Sequence, residues 1–467
     1  MTMTVMVILV MVMMTTLEHT ELKWTYAGYL TDNFPQSVIE DGQLTTLQLL
    51  AKYKHPGESH DVTTEDKYIL TMHRIPRPKA KPVLLVHGLQ DSSATWILMG
   101  PESGLGYYLY ANGYDVWMGN VRGNRYSRNH VKYNASADKA YWTFSWHEIG
   151  YYDIPAMIDT VLGKTGYQKL SYFGHSQGTT TFFVMASTRP EYNAKVHSMS
   201  ALAPVAFMGH VKAPLLPLAR MGIVMFGDFL NNLMSHGTIA TMTCTITPKM
   251  FKTCLNYFYD IVGKNTEEFN TTMFPVVLGH LPAGCNIKQL EHYIQLKSSQ
   301  RFCQFDYEAK ENQRIYGRPT APDYPLEKVT APIALYYAQN DYLSSVEDVQ
   351  KLIKILPNVV ENNMYPQKKW NHMDMVWGLS SRRLAQPKML KVMQLWENGG
   401  PGKNNEDVEE EVDAKEEDPE HEEVPETTEA SSSSQEKVEE GEQEVIEEDS
   451  PVGDDDQVKD SDKSATE

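Results

Sequence analysis

A short apolar and aromatic run, Leu170-Ser171-Tyr172-Phe173, passes directly into Gly174-His175-Ser176-Gln177-Gly178 and then into the helix-compatible stretch Thr179-Thr180-Thr181-Phe182-Phe183-Val184-Met185-Ala186. A strand that turns at once into a helix on a G-x-S-x-G pattern leaves few architectures open. The serine is lifted onto a sharp turn, and the residues two before and two after it must lack a Cβ. This is the pattern of a nucleophile elbow, with Ser176 as candidate nucleophile. The five residues alone could also be a glycine-rich surface turn, since the chain holds 29 glycines in 467 residues. The flanking strand and helix favour the elbow.

A serine hydroxyl is a weak nucleophile near neutral pH, so a base and an orienting carboxylate should follow it in the order Ser, Asp, His. Ala331-Pro332-Ile333-Ala334-Leu335-Tyr336-Tyr337 reads as a buried strand ending in the polar turn Ala338-Gln339-Asn340-Asp341. Asp341 is the candidate orienter. Farther on, Trp370-Asn371-His372-Met373-Asp374 places a histidine in a loop before a short helical stretch, and His372 is the candidate general base. The competing reading is that Asp341 is a solvated turn cap and His372 one bystander among 15 histidines. Asp374 competes for the acidic role, but it lies two residues from His372 and on no strand end.

Such chemistry also needs an oxyanion hole of two backbone N–H groups. Gln177, directly after the nucleophile, supplies one. The other belongs to Leu89, in the turn His87-Gly88-Leu89 that follows the strand Pro82-Val83-Leu84-Leu85-Val86. Because these donors are backbone groups, side-chain changes at Leu89 should matter less than a change at Gly88. The mechanism calls for no metal and no cofactor.

At the start, Val5-Met6-Val7-Ile8-Leu9-Val10-Met11-Val12-Met13-Met14 is an apolar core too short to span a bilayer. Residues 1–16 read as a signal peptide rather than a transmembrane anchor, although no Lys or Arg precedes the core and no Ala-x-Ala follows it. The sequons at Asn134 and Asn270 are glycosylation candidates, in keeping with a secretory route to the outside or to lysosomes. Cys244, Cys254, Cys285 and Cys303 fall close together and could pair in an oxidising compartment, with three connectivities open. No C-x-x-C or clustered-histidine spacing points to a metal.

The stretch between the strand ending near Ala206 and the one starting near Ala331 is far longer than a loop and should form a separate cap, about residues 207–328. Within it, the apolar run from Ala213 to Phe226 is either a mobile lid and acyl-binding wall or the cap's own core. Replacing Met225 and Phe226 by serine would separate the two. Past Gly399-Gly400-Pro401-Gly402 the composition changes: residues 406–467 hold 28 Asp plus Glu against 4 Lys. The chain's net charge of −19 therefore belongs to this tail, and the preceding residues are near +5. Residues 399–467 should be a disordered acidic tail, serving solvation or binding to a basic partner. No basic stripe, repeat or Gly-x-x-x-x-Gly-Lys-Ser/Thr loop suggests nucleic acid or nucleotide.

The body from about residue 20 to 395 resembles the acid lipases of the gastric and lysosomal type. The resemblance runs through Val62-Thr63-Thr64-Glu65-Asp66-Lys67-Tyr68-Ile69-Leu70, His87-Gly88-Leu89, Gly113-Tyr114-Asp115-Val116-Trp117-Met118-Gly119-Asn120-Val121-Arg122-Gly123-Asn124 and Phe144-Ser145-Trp146. It continues through Tyr152-Asp153-Ile154-Pro155-Ala156, the elbow, Ala201-Leu202-Ala203-Pro204-Val205-Ala206, Pro282-Ala283-Gly284 and Asn371-His372. It implies an α/β-hydrolase fold over residues 20–398, with a mostly parallel sheet, flanking helices and an inserted, largely helical cap. It further implies a Ser176, His372 and Asp341 triad, Leu89 and Gln177 as oxyanion donors, a Cys244–Cys254 pair, and hydrolysis of neutral lipid esters at a lipid–water interface. Two departures stand out: Lys67 and Ala338 occupy positions where the family commonly has glycine, and Ala338 should crowd the turn that presents Asp341. The alternative function is a hydrolase-like protein that binds lipid without turning it over; keeping serine, acid and histidine together favours the enzyme.

Overall fold

The computed structural model describes residues 30–213 and 244–401. Among them, strands β1 (Glu58–Thr63), β2 (Tyr68–Ile75), β3 (Pro82–Val86), β4 (Asp115–Gly119), β5 (Asn129–His130), β6 (Leu170–His175), β7 (Val196–Leu202), β8 (Ile333–Tyr337) and β9 (Val359–Met364) form one sheet. Helices α1 (Leu105–Ala111), α2 (Ile154–Thr165), α3 (Gln177–Thr188), α4 (Pro248–Val262), α5 (Phe274–His280), α6 (Ile287–Ser299), α7 (Glu308–Tyr316) and α8 (Gln386–Glu397) are the elements that matter below.

The strand order is β1-β2-β4-β3-β6-β7-β8-β9, with β5 beside β2. Pairs from β4 through β9 are parallel, whereas β1, β2 and β5 join antiparallel. The sequence explains the division. Every residue of β3, β4, β6 and β8 is buried, which only strands covered on both faces require. β1, with Glu-Ser-His-Asp-Val-Thr, alternates in exposure and suits the edge. Successive β3 side chains point to opposite faces. Leu84 and Val86 join one core layer with Met157 and Ile158 of α2 and Phe182 of α3, while Val83 and Leu85 join the other with Leu105 of α1 and Met389 of α8. Each such fully buried side chain stabilises the fold by about 1.5–3 kcal/mol.

The described part of the chain between β7 and β8 carries α4 to α7, so the mostly parallel sheet, flanking helices and helical insertion agree with the α/β architecture read from the sequence. The parallel direction places the carboxyl ends of β3, β6, β8 and β9 along one edge of the sheet, where open α/β sheets build their sites. No helix among the described residues is long and apolar enough to cross a membrane.

The chain divides into two units, residues 1–403 and 404–467, and every described residue lies in the first. Residues 1–16, expected to be a signal peptide, residues 214–226 with Met225 and Phe226, and the acidic residues beyond 401 lie outside the described residues. Lys67 lies at φ 75, a left-handed conformation that glycine adopts without steric cost and lysine rarely does.

Candidate active site

The elbow is built by steric exclusion. Ser176 follows β6 and caps α3 with φ 52 and ψ −116, a strained conformation that persists only where the surroundings impose it. They do so closely: the Ser176 N–H donates to the Leu202 carbonyl of β7 at 3.0 Å, and its own carbonyl accepts from Thr179 N–H at 2.9 Å. A Cβ on Gly174 would stand 2.7 Å from the Gly178 carbonyl group, and one on Gly178 would stand 2.1 Å from the Val86 oxygen of β3. Between residues 170 and 181, Ser176 alone is not fully buried.

Asp341 lies in the turn after β8 and is fully buried. Its Oδ1 accepts the N–H groups of Leu343 at 2.8 Å and Ser344 at 2.7 Å. The His372 ring presents Nδ1 to the same carboxylate, 2.8 Å from Oδ2 and 3.0 Å from Oδ1. With Nδ1–H donating there, Nε2 carries the lone pair that a general base needs. Ala338 is buried without a left-handed backbone, and the Asp341–His372 contact forms beside it.

His175, next to the serine, donates from Nε2 to the His372 carbonyl at 2.9 Å. The two rings lie 4.9 Å apart, so the elbow and the histidine loop are in direct contact. Burial pushes His175 down to about 3, which keeps it neutral. No hydrogen bond joins Ser176 Oγ to His372 among the described residues; such bonds often close only around substrate. Asp374 does not contact the histidine ring. Its Oδ2 accepts from the Asn371 N–H and from Asn265 Nδ2, both at 2.8 Å, and burial pushes its carboxyl up to about 7.

The turn after β3 lies against the nucleophile, since a Cβ on Gly88 would stand 3.2 Å from Ser176 Cβ and 3.3 Å from His175 Nδ1. Neither the Leu89 nor the Gln177 backbone N–H donates to another group among the described residues. Two free N–H groups flanking one serine can receive a developing oxyanion.

The sequence reasoning missed the end of α4 and the segment that follows it. The Val262 carbonyl accepts the His372 N–H at 3.1 Å, the Gly263 carbonyl accepts Asn371 Nδ2 at 2.7 Å and the Lys264 carbonyl accepts Asn340 Nδ2 at 2.9 Å. The chain between the sheet's strands thus binds the loops that carry both Asp341 and His372. Cys244 and Cys254 form a disulfide that ties α4 to the turn just before it, while Cys285 and Cys303 are buried thiols. Asn134 is exposed, and Asn270 is half-buried with its Oδ1 accepting the Thr272 N–H at 3.1 Å.

The α/β-hydrolase fold family matches residues 81–378, and the partial α/β-hydrolase lipase region matches residues 46–100. The chain is similar to Lipase 1 of Drosophila melanogaster, 44% identical over 373 residues that cover 79% of this chain and 84% of the fly protein. It is also similar to Lipase 3 of Drosophila melanogaster, at 43% identity over 73% of this chain and 91% of the relative. The gastric triacylglycerol lipase of Bos taurus is 33% identical over 76% of this chain and 92% of its own length. On this identity, coverage and fold, the chain belongs to the acid lipase family of the α/β hydrolases.

Proposed function

We propose that this protein is a lipase, a carboxylic ester hydrolase that cleaves neutral lipid esters such as triacylglycerols or cholesteryl esters by way of an acyl-enzyme. Ser176 Oγ attacks the ester carbonyl while His372 Nε2 takes its proton, and Asp341 holds the imidazole and stabilises the imidazolium. The oxyanion receives the N–H groups of Leu89 and Gln177. Collapse of the tetrahedral intermediate breaks the bond to the alcohol oxygen, to which His372 returns the proton. Water, deprotonated by His372, then attacks the acyl carbonyl, the fatty acid leaves, and the proton returns to Ser176. No metal or cofactor takes part in these steps.

The observation that carries this reading is Ser176 in its strained turn, partly exposed at the end of β6, beside a histidine already paired with a buried carboxylate. Relatives named as lipases support the substrate class. The apolar residues 5–14, the Cys244–Cys254 disulfide and the gastric relative support a secretory route, ending outside the cell or in lysosomes. The test is turnover of emulsified trioleoylglycerol and a cholesteryl ester across pH 4 to 8, with and without Ser176→Ala. Loss of activity by about a million-fold in the variant is the expected result. An intact protein that binds these lipids tightly and hydrolyses neither would instead be a carrier on a hydrolase fold.

A further inference from the structure

A peptide group is planar and trans, so its carbonyl and N–H point in opposite directions. Whatever holds the Gly88 carbonyl therefore aims the Leu89 N–H. That carbonyl accepts from His87 Nδ1 at 2.7 Å and, less directly, from the Asp91 N–H at 3.4 Å. The imidazole can donate there only in one tautomer, and its other nitrogen decides which. His87 Nε2 faces two donors, Asn124 Nδ2 at 3.1 Å and the Val121 N–H at 3.3 Å. It must keep its lone pair, which leaves the proton of the neutral ring on Nδ1.

The amide of Asn124 is fixed in the same way. Its Oδ1 accepts the N–H groups of Tyr126 at 3.0 Å and Ser127 at 3.1 Å, so the NH₂ edge has to face His87. That edge also meets Asn120 Oδ1 at 3.0 Å and the Asp91 carbonyl at 3.4 Å. His87 is 2% exposed and Asn124 is wholly buried, so water cannot replace these bonds. We propose that His87 and Asn124 are positioning residues: Asn124 sets the His87 tautomer, His87 holds the Gly88 carbonyl, and the Leu89 N–H is thereby aimed at the oxyanion. Neither side chain touches substrate. The inference rests on reading Leu89 as an oxyanion donor.

A hydrogen bond to the carbonyl also polarises the peptide and strengthens its N–H as a donor. In the opposite tautomer, a lone pair on Nδ1 would face the Gly88 oxygen, and the peptide would swing its N–H off target.

The experiment compares a soluble p-nitrophenyl ester with its thionoester, because sulfur accepts hydrogen bonds poorly and an aimed donor favours the oxygen substrate. His87→Phe keeps a ring but no donor. It should lower kcat on the oxoester about 100-fold with KM nearly unchanged, and lower the oxoester-to-thionoester rate ratio. His87→Asn keeps a donor near the Nδ1 position and should restore most of both. Asn124→Ala, which leaves the His87 ring in place, should lower the same ratio and carries the test if His87→Phe does not fold. Equal losses on both substrates, or His87→Asn as impaired as His87→Phe, would overturn the inference. Activity that survived Ser176→Ala would sink the functional reading itself, whereas an inactive Ser176→Ala with an unchanged ratio in the folded variants sinks only this proposal.

Discussion

Replacing Gly263 by alanine tests whether the chain past α4 keeps Asp341 and His372 in register. Gly263 has φ 102 and ψ 133, a region in which any other residue is strained by about 1–3 kcal/mol. An added Cβ would lie 1.9 Å from the Asn340 carbonyl oxygen and 3.1 Å from Asn371 Cβ, so reaching an ordinary 3.4 Å requires that oxygen to recede by about 1.5 Å. Asn340 and Asn371 directly precede Asp341 and His372, and the relief must pass into both loops. A misplacement of about 1 Å at a catalytic group costs about 100-fold in rate. Strain and overpacking together predict a loss of about 3 kcal/mol of stability. The assay is kcat and KM on a soluble p-nitrophenyl ester, together with urea unfolding. Gly113→Ala is the control: it shares a positive φ of 90, but nothing lies within 4 Å of its added Cβ. It should cost about 1 kcal/mol and leave kcat alone. Wild-type kcat in Gly263→Ala, or a stability loss no larger than the control's, would refute the argument.

Gly178→Ala sets a Cβ 2.1 Å from the Val86 oxygen in the middle of the sheet and should destabilise by about 3 kcal/mol; a loss under about 1 kcal/mol on urea unfolding would show that the elbow yields more easily than its geometry allows. Arg122 is wholly buried, with its Nη2 2.6 Å from Asp153 Oδ1 and its Nη1 2.5 Å from Asp66 Oδ2. Arg122→Met strands the buried Asp153 and should cost about 3–5 kcal/mol, part of which Arg122→Met with Asp153→Leu should recover on the same assay. Burial holds His280 at about 4 instead of the ordinary 6.5. On acidification the unfolded chain takes its proton first, so this contribution to stability is whole above about pH 6.5 and lost toward pH 4, at about 1.4 kcal/mol per pH unit. His280→Gln should flatten the fall in stability between pH 7 and 5 by that slope, as urea titrations at both pH values would measure.

Local sterics account for what the sequence disclosed of the fold. β3 matches the run Pro82–Val86 end to end, because five consecutive apolar residues leave no exposed face. β6 extends past Phe173 to His175, since the elbow begins only where the backbone turns at Ser176. β8 begins at Ile333, after Pro332, which has no N–H to give a ladder. The left-handed conformation of Lys67 is not legible from its residue type, because lysine carries no preference for it.

The site divides along the same line. Glycine at 174 and 178 announces a forbidden Cβ, and a polar residue after an apolar run announces a strand end, so Ser176 and Asp341 stand out from residues next to them. Val262 and Gly263 act through carbonyls that every residue possesses, and their partners Asn371 and His372 are more than 100 positions away. No side-chain pattern can record such a contact. Asp374 competes by residue type alone: it lies two residues from His372 and on no strand end, and the turn it belongs to aims its carboxyl at the Asn371 N–H and Asn265. The acid that reaches the ring comes instead from a neighbouring strand end, 31 residues back, because β8 and β9 lie side by side and deliver their following loops to one edge of the sheet. Sheet order therefore selects between the two carboxylates, and a polar turn after an apolar strand is the mark by which the sequence already records that choice.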